Sequence, residues 1–362
     1  MRTYYIGAFP PGYGGVTIKN ATLFEALRKV IHIEKIDLNL IKRKNLKEAF
    51  RLLVALLRRD TQYVIGVTGK KTKKRFTGLV YYLNRKAAKR SVIIVMGGTA
   101  AKDAQEDQQY RRWLSAYRRI YVETKGMLQT LRDCGLQNGD IFPNAKNRQA
   151  VDLSVKENPK GKLKCIFFSQ VSEDKGSDIV IEAARLLPEV HFDIYGRLVD
   201  EYASSFTAKI ETLDNVKYCG IYKGSDIEKY ILFQNYDVLL FPTRCETEGV
   251  PGTLVEAKFA GIPCVVSNVS HNAELVLDDK EGIVLRENTV ACMIDAIVYL
   301  DKNRERLLEM KKNSLKSAGT YYIDNYIDNI VSQLSNEKSG GTLLSLDSGH
   351  FFYKHLIFGG VV

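Results

Sequence analysis

Short apolar runs recur along this chain, each bounded by glycine, proline or polar residues, and between them lie longer amphipathic segments. Thr3–Phe9, Tyr63–Val67, Val92–Met96 and Arg119–Glu123 in the first half read as strands, as do Lys164–Ser169, Phe192–Tyr195, Val216–Gly220, Val238–Phe241 and Pro263–Ser267 in the second. Ile18–Val30, Leu46–Leu57, Lys125–Cys134, Ser177–Leu187 and Asp226–Gln234 read as helices between them. Three more helices follow, Thr289–Leu300, Arg304–Ala318 and Tyr321–Leu334. Strand–helix alternation of this kind predicts doubly wound α/β layers with parallel sheets.

A chain of 362 residues predicts two domains of ordinary size. The polar stretch KENPKGK, broken by Pro159 and Gly161, places a linker near 145–160. The expected domains are therefore 1–150 and 160–320. Residues 321–335 read as a further helix, a candidate to cross back to the first domain, and 336–362 stay unassigned. That tail, from Ser339 onward, fits a docked strand, an apolar plug, a membrane contact or disorder equally well.

The net charge of +11 is unevenly spread. Residues 1–154 hold 30 Lys/Arg against 12 Asp/Glu, a surplus of 18, and the remainder holds 23 against 30. Lys70–Arg90 carries no acid, and its Phe76, Leu79, Val80, Tyr81, Tyr82 and Leu83 make it amphipathic. Such a segment fits a helix on an anionic membrane face or a solvated basic helix face. No nucleic-acid motif accompanies it. The six cysteines include no C-x-x-C, so neither zinc site nor disulfide framework is indicated, and a reducing cytoplasm fits. No secretory apolar region and no run of the ~20 residues needed to span a bilayer is present.

The most informative stretch is Leu239 to Asn268, LLFPTRCETEGVPGTLVEAKFAGIPCVVSN. A buried strand passes into a polar loop with Glu246 and Glu248, turns at Pro251-Gly252, and opens a helix near Thr253 that stops at Gly261. First-turn N–H groups have no intrahelical partner and carry partial positive charge, so an anion can dock there. Gly249 and Gly252 let backbone approach a ligand. Glu248 and Glu256 can face the same crevice, where amides would take a diphosphate and carboxylates the hydroxyls of sugar and ribose. Thr253-x-x-Glu256 is equally a capping-box pattern, in which Glu256 would only tie down its own helix.

The run E-G-V-P-G-T-L-V-E resembles the E-x7-E signature of the GT-B retaining glycosyltransferases of family 4 (glycosyl transferases group 1), of surface-polysaccharide or O-antigen type. The resemblance covers about residues 1–335 and is strongest from Lys164 to Glu274. It implies two Rossmann-like domains facing each other across a cleft, with a nucleotide sugar held mainly by the second. By this resemblance Glu248 contacts the donor-sugar hydroxyls and stabilises developing positive charge, and Glu256 holds the ribose. The N–H groups of Thr253 and Leu254, with Lys175, hold the diphosphate, and Gly249, Val250 and Gly252 line the donor. Lys175-Gly176 before a helix matches the phosphate-binding lysine, whose cation does work that other enzymes give to a metal. The arginine usual five residues earlier is Gln170 here, which cannot grip phosphate as a guanidinium does and shifts the load onto Lys175 and Arg244.

Gly14 and Gly15 resemble the glycine loop facing the donor phosphates, and the same resemblance implies that Gly196 borders the base pocket. Met96 stands where many relatives have a histidine, and no histidine occurs in residues 33–190. Gly97-Gly98 then leaves room for substrate, and Glu274 resembles a glutamate that supports the site.

The expected activity is retaining transfer of a hexose-type sugar from a UDP- or GDP-sugar, UDP preferred, to a glycan or polyprenyl-diphosphate-linked hydroxyl. It needs no cofactor and no metal, and it runs on the inner face of the plasma membrane with no nucleic-acid partner. A sugar-nucleotide 2-epimerase of the same fold and a non-catalytic polyanion- or membrane-binding protein are the alternatives.

Overall fold

The computed structural model describes residues 1–11, 14–148, 153–158 and 161–334. The chain builds two six-stranded sheets, parallel throughout. The first contains β1 (Arg2–Gly7), β2 (Glu34–Asp37), β3 (Thr61–Val67), β4 (Val92–Val95), β5 (Arg119–Val122) and β6 (Gly139–Ile141) in the order β2-β1-β3-β4-β5-β6. The second contains β7 (Lys164–Phe168), β8 (His191–Tyr195), β9 (Val216–Gly220), β10 (Val238–Phe241), β11 (Cys264–Ser267) and β12 (Gly282–Leu285) in the order β12-β11-β10-β7-β8-β9. Central strands such as β3, β4 and β10 are buried on both faces, which is why they read as unbroken apolar runs rather than alternating ones.

Helices cover both faces of each sheet, so each domain has two apolar layers. Ile6, Ile65, Ile93 and Val122 belong to one layer of the first domain, and Tyr5, Leu23, Ile94 and Tyr121 to the other. In the second domain Phe167 and Leu240 point into one layer, Ile166 and Phe241 into the other. The helix Asp324–Leu334 puts Ile327, Ile330 and Leu334 into the Tyr5 layer, so the end of the described chain packs on the first sheet.

Strand order reverses between β1 and β3 in the first sheet and between β7 and β10 in the second. Open α/β sheets bind ligands outside the carboxyl ends of the strands at such switch points. The loops leaving β1, β7 and β10 hold Gly14-Gly15, Lys175 and Glu248 respectively, so topology alone directs attention to these residues.

Among the elements not anticipated from the sequence are β2, β12 and the helices Leu38–Lys42, Ala100–Glu106, Gln108–Leu114, Asp200–Ile210 and Asn272–Leu275. The basic segment also needs correcting. It forms the helix Lys70–Leu83, but Phe76, Leu79 and Val80 pack into the first core, Tyr81 is buried, and only Tyr82 and Leu83 stay exposed. Its charges are partly neutralised from the unanticipated helices. Lys73 is buried against Asp103 at 3.1 Å, and Lys74 pairs with Asp107 at 2.6 Å. Burial lowers the pKa of Lys73, and the Asp103 carboxylate only partly offsets this. The linker range 149–152 and 159–160, with Asp152 and Pro159, and the tail 335–362 lie outside the described residues.

Candidate functional site

The helix Gly252–Ala260 opens directly from the β10 loop and ends on Gly261 in the left-handed region (φ 66°). Its N-cap is Pro251, which supplies no side-chain cap. The Thr253–Glu256 capping box therefore does not form. Thr253 lies inside the first turn with its buried Oγ1 unpartnered among the described residues. The N–H groups of Gly252 and Thr253 have no intrahelical acceptor, whereas that of Leu254 bonds the Pro251 carbonyl at 3.2 Å.

Glu248 stands at the mouth of this helix and forms an ion pair with Lys175. Both side chains are more than four-fifths buried. One Glu248 oxygen, Oε1, takes the Lys175 ammonium, while Oε2 is buried with no partner among the described residues. Lys175 comes from the 3₁₀ turn Glu173–Lys175 after β7, and Gly176 follows at φ 75°. A Cβ at Gly176 would overlap the Pro242 carbonyl, so this glycine lets the β7 and β10 loops close on each other. The two chemically informative residues, 73 positions apart, thus meet at the second sheet's switch point.

A cavity of about 290 Å³ lies beside them, between the domains. Gly15, Met96 and Gly97 line it from the first domain, and Glu248, Gly249 and Gly252 from the second. Gly98 does not leave room for substrate as expected. Its N–H bonds the Thr247 carbonyl at 3.1 Å, and a Cβ there would run into the Glu248 carbonyl. The space beside this glycine is taken by the opposite domain's backbone.

The first domain grips the loop before the helix through residues that the sequence did not single out. Glu123, just past β5, accepts the Val250 N–H at 2.9 Å and pairs with Lys19 at 2.6 Å. Lys19 and Glu123 side chains are both 4% exposed. Burial lowers the Lys19 pKa, the Glu123 carboxylate opposes that shift, and the neighbouring Lys146 adds to it. Asn144 donates to the Val250 carbonyl at 2.9 Å. Val250, expected to line a donor, therefore has both backbone groups bonded to the first domain.

Glu256 is buried and already engaged. Its Oε1 takes Lys146 at 2.8 Å and Lys229 at 3.1 Å. Burial depresses Lys229, but the Glu256 and Asp226 carboxylates outweigh it and hold its pKa above the ordinary lysine value. A Cβ at Gly252 would lie 3.8 Å from Glu256 Oε1 and 3.6 Å from Lys146 Nζ, so this charged cluster flanks the helix mouth.

The remaining candidates are more dispersed. Arg244 is held by Asp178 through two bonds of 2.8 Å and is not turned to Glu248. Gln170 is exposed beyond the end of β7. Gly196 follows β8 with its N–H on the Gly220 carbonyl at 2.8 Å. Gly14 caps the helix Gly15–Arg28 and faces open space. Glu274 accepts the Gly126 N–H at 3.0 Å and bonds His271 at 2.9 Å, which ties the second domain to the amino end of the helix Lys125–Asp133. No group of three or more His, Cys, Asp or Glu placed to hold a metal ion occurs among the described residues.

Comparison with known proteins adds to this geometry. The sequence model described as "Glycosyl transferases group 1" matches residues 150–317, a little under half of the chain. Protein CapJ of Staphylococcus aureus is 29% identical over 202 residues, 54% of this chain and 50% of that protein. The UDP-Gal:alpha-D-GlcNAc-diphosphoundecaprenol alpha-1,3-galactosyltransferase of Escherichia coli is 29% identical over 105 residues, 27% of each chain. The chain thus spans half or less of these curated relatives. Among solved structures, Anabaena HepE in complex with UDP and glucose superposes with TM-score 0.68 at 14% identity, covering 93% of this chain and 100% of that one. The likeness over nearly the whole length establishes the two-domain GT-B fold, and residues 150–317 within it are the part that matches the glycosyl transferases group 1 model.

Proposed function

We propose that this chain is a retaining glycosyltransferase, of family 4, moving a hexose-type sugar from a UDP-sugar to a hydroxyl of a glycan acceptor in surface-polysaccharide synthesis. The observation that carries the reading is the Lys175–Glu248 pair at the mouth of the helix Gly252–Ala260, with Glu248 Oε2 buried beside an interdomain cavity and without a partner among the described residues. A buried carboxylate oxygen without a donor is costly, and sugar hydroxyls are donors that would satisfy it. Names of similar proteins support the substrate class: HepE was solved with UDP and glucose, and the Escherichia coli relative uses UDP-Gal and a diphosphoundecaprenol acceptor.

In this reading Lys175 leaves Glu248 for the donor's diphosphate, which also meets the Gly252 and Thr253 N–H groups and the positive end of the helix. Glu248 turns to the sugar hydroxyls and stabilises positive charge as the bond from anomeric carbon to phosphate oxygen stretches. The acceptor oxygen forms the new bond on the same face, its proton passes to the departing diphosphate, and glycoside and nucleoside diphosphate are the products. Glu256, with Lys146 and Lys229, flanks the place given to the ribose, and Gly14, Gly15, Gly196, Gly249, Gln170 and Leu254 shape the donor's surroundings. Lys175 supplies the cation at the leaving group, so the reaction is metal-independent.

A polyprenyl-diphosphate acceptor and the positive first domain together put the protein on the cytoplasmic face of a membrane, attached peripherally. No helix among the described residues is long and apolar enough to cross one. The test is transfer from a panel of UDP- and GDP-sugars to a polyprenyl-diphosphate-linked sugar, with EDTA present. Product requiring both donor and acceptor is expected. A strict need for Mn²⁺ or Mg²⁺ would remove the metal-independent mechanism, and conversion of the donor without acceptor would point to an epimerase.

A further inference from the structure

The helix Leu46–Leu57 is apolar on two sides, and among the described residues only one of them packs inside the molecule. Ala55 and Leu56 are buried and Leu52 packs on the first core. Leu46, Phe50, Leu53, Val54 and Leu57 all face outward, with Leu46 81%, Phe50 65% and Leu57 60% exposed. Their spacing of four, three, one and three residues keeps them on a single stripe along the whole helix. Tyr82 and Leu83, the exposed end of the helix Lys70–Leu83, adjoin its carboxyl end, because Asn84 donates to the carbonyls of Leu56 and Arg58.

Charge around the stripe has one sign. The only acid of the helix, Glu48, is buried and accepts the Asp37 N–H at 2.7 Å. Lys42, Arg43, Lys44 and Lys47 are exposed at its amino end, and Arg59, Arg85 and Lys86 at its carboxyl end. The nearby acids Glu34 and Asp60 are each paired with an arginine, Arg51 and Arg58. Helices in parallel sheets run against the strands, so Leu46 enters from the strand-end rim on which the cleft opens.

An apolar stripe between clusters of Lys and Arg suits the boundary between acyl chains and anionic headgroups, where the stripe leaves water and the long basic side chains reach back to phosphate. A protein partner would need an acidic surface around an apolar groove, whereas an anionic bilayer supplies both layers at once. We infer that the outward face of the helix Leu46–Leu57, with Tyr82 and Leu83, is the surface by which this chain docks on an anionic lipid bilayer. This moves the membrane contact away from the inward-packed face of Lys70–Leu83. It deepens the peripheral attachment proposed above but stands independently of sugar transfer.

The experiment is co-sedimentation of the full chain with vesicles of phosphatidylcholine alone and of phosphatidylcholine with phosphatidylglycerol. Binding to the anionic vesicles is expected, weakened roughly tenfold or more by Phe50→Asp with Leu57→Asp and about fivefold by each of Arg43→Gln and Lys47→Gln. Thermal melting of these surface variants should match the parent, which keeps a folding defect apart from lost docking. No anionic-vesicle binding, or binding untouched by the Phe50/Leu57 change, overturns the inference. Self-association in lipid-free buffer that this change abolishes would make the face a contact between copies and overturns it too. Because the readout is partition, its failure leaves the transfer assay unaffected.

Discussion

Removing one partner of the Lys19–Glu123 pair is the sharpest structural perturbation. Both groups are almost wholly buried and 2.6 Å apart, and Glu123 also receives the Val250 N–H. In Lys19→Met the carboxylate keeps one N–H donor and loses its counter-charge, which costs about 3–5 kcal/mol for a buried pair. Glu123→Gln keeps an oxygen for Val250 but strands the ammonium. Its loss should fall at the lower end, about 3 kcal/mol, because a lysine can deprotonate. Replacing both leaves no buried charge, so the double variant should recover roughly 2–3 kcal/mol relative to the sum of the singles. Urea unfolding of the four proteins measures this directly. The pH dependence has a defined sign. Lys19 is lowered in the folded state from its ordinary 10.5, so the folded chain gives up this proton first and its contribution to stability rises with pH towards that value. Glu123→Gln should steepen the rise. Single variants that each cost under about 1 kcal/mol and add without coupling would refute a desolvated pair gripping the loop.

Gly98→Ala forces a Cβ into the Glu248 carbonyl, so it should lose about 1–3 kcal/mol of stability by thermal melting and most of any transfer activity. Activity at the parental level would mean that the two loops separate in the working enzyme. Lys175→Met should lower kcat by roughly 100- to 1000-fold at saturating donor if its cation meets the leaving diphosphate. A rise in KM alone would reduce it to a binding group. Lys146→Met should weaken donor binding in calorimetry through the Glu256 cluster, while unchanged affinity would leave that cluster purely structural.

Strands flanked by glycine or proline were legible because a doubly covered parallel sheet demands unbroken apolar runs. The strand Glu34–Asp37 was not, since Ile36 is its only apolar residue and charges surround it. Asp200–Ile210 buries just Tyr202 and Phe206, too few to set a helical period. The central loop and helix were readable from local order, and so was Lys175 from its place between strand and helix. Lys19, Glu123, Asn144 and Lys146 were not, because their meaning comes from contacts across 104 to 127 residues. Amphipathicity tells that a face is apolar but not which way it points. Lys70–Leu83 spends its apolar face on the core, and Leu46–Leu57, apolar on both sides, keeps one outside.

The central claim is that Glu248 and the amino end of the helix Gly252–Ala260 hold a nucleotide-bound sugar. The measurement that tests it most directly compares Glu248→Gln with the parent for UDP-sugar binding by calorimetry and for single-turnover transfer to acceptor. The account predicts a folded variant that still binds UDP, through Lys175 and the helix end, but transfers sugar at least about 100-fold more slowly. Transfer at the parental rate by Glu248→Gln, or no UDP binding by the parent protein, would contradict it.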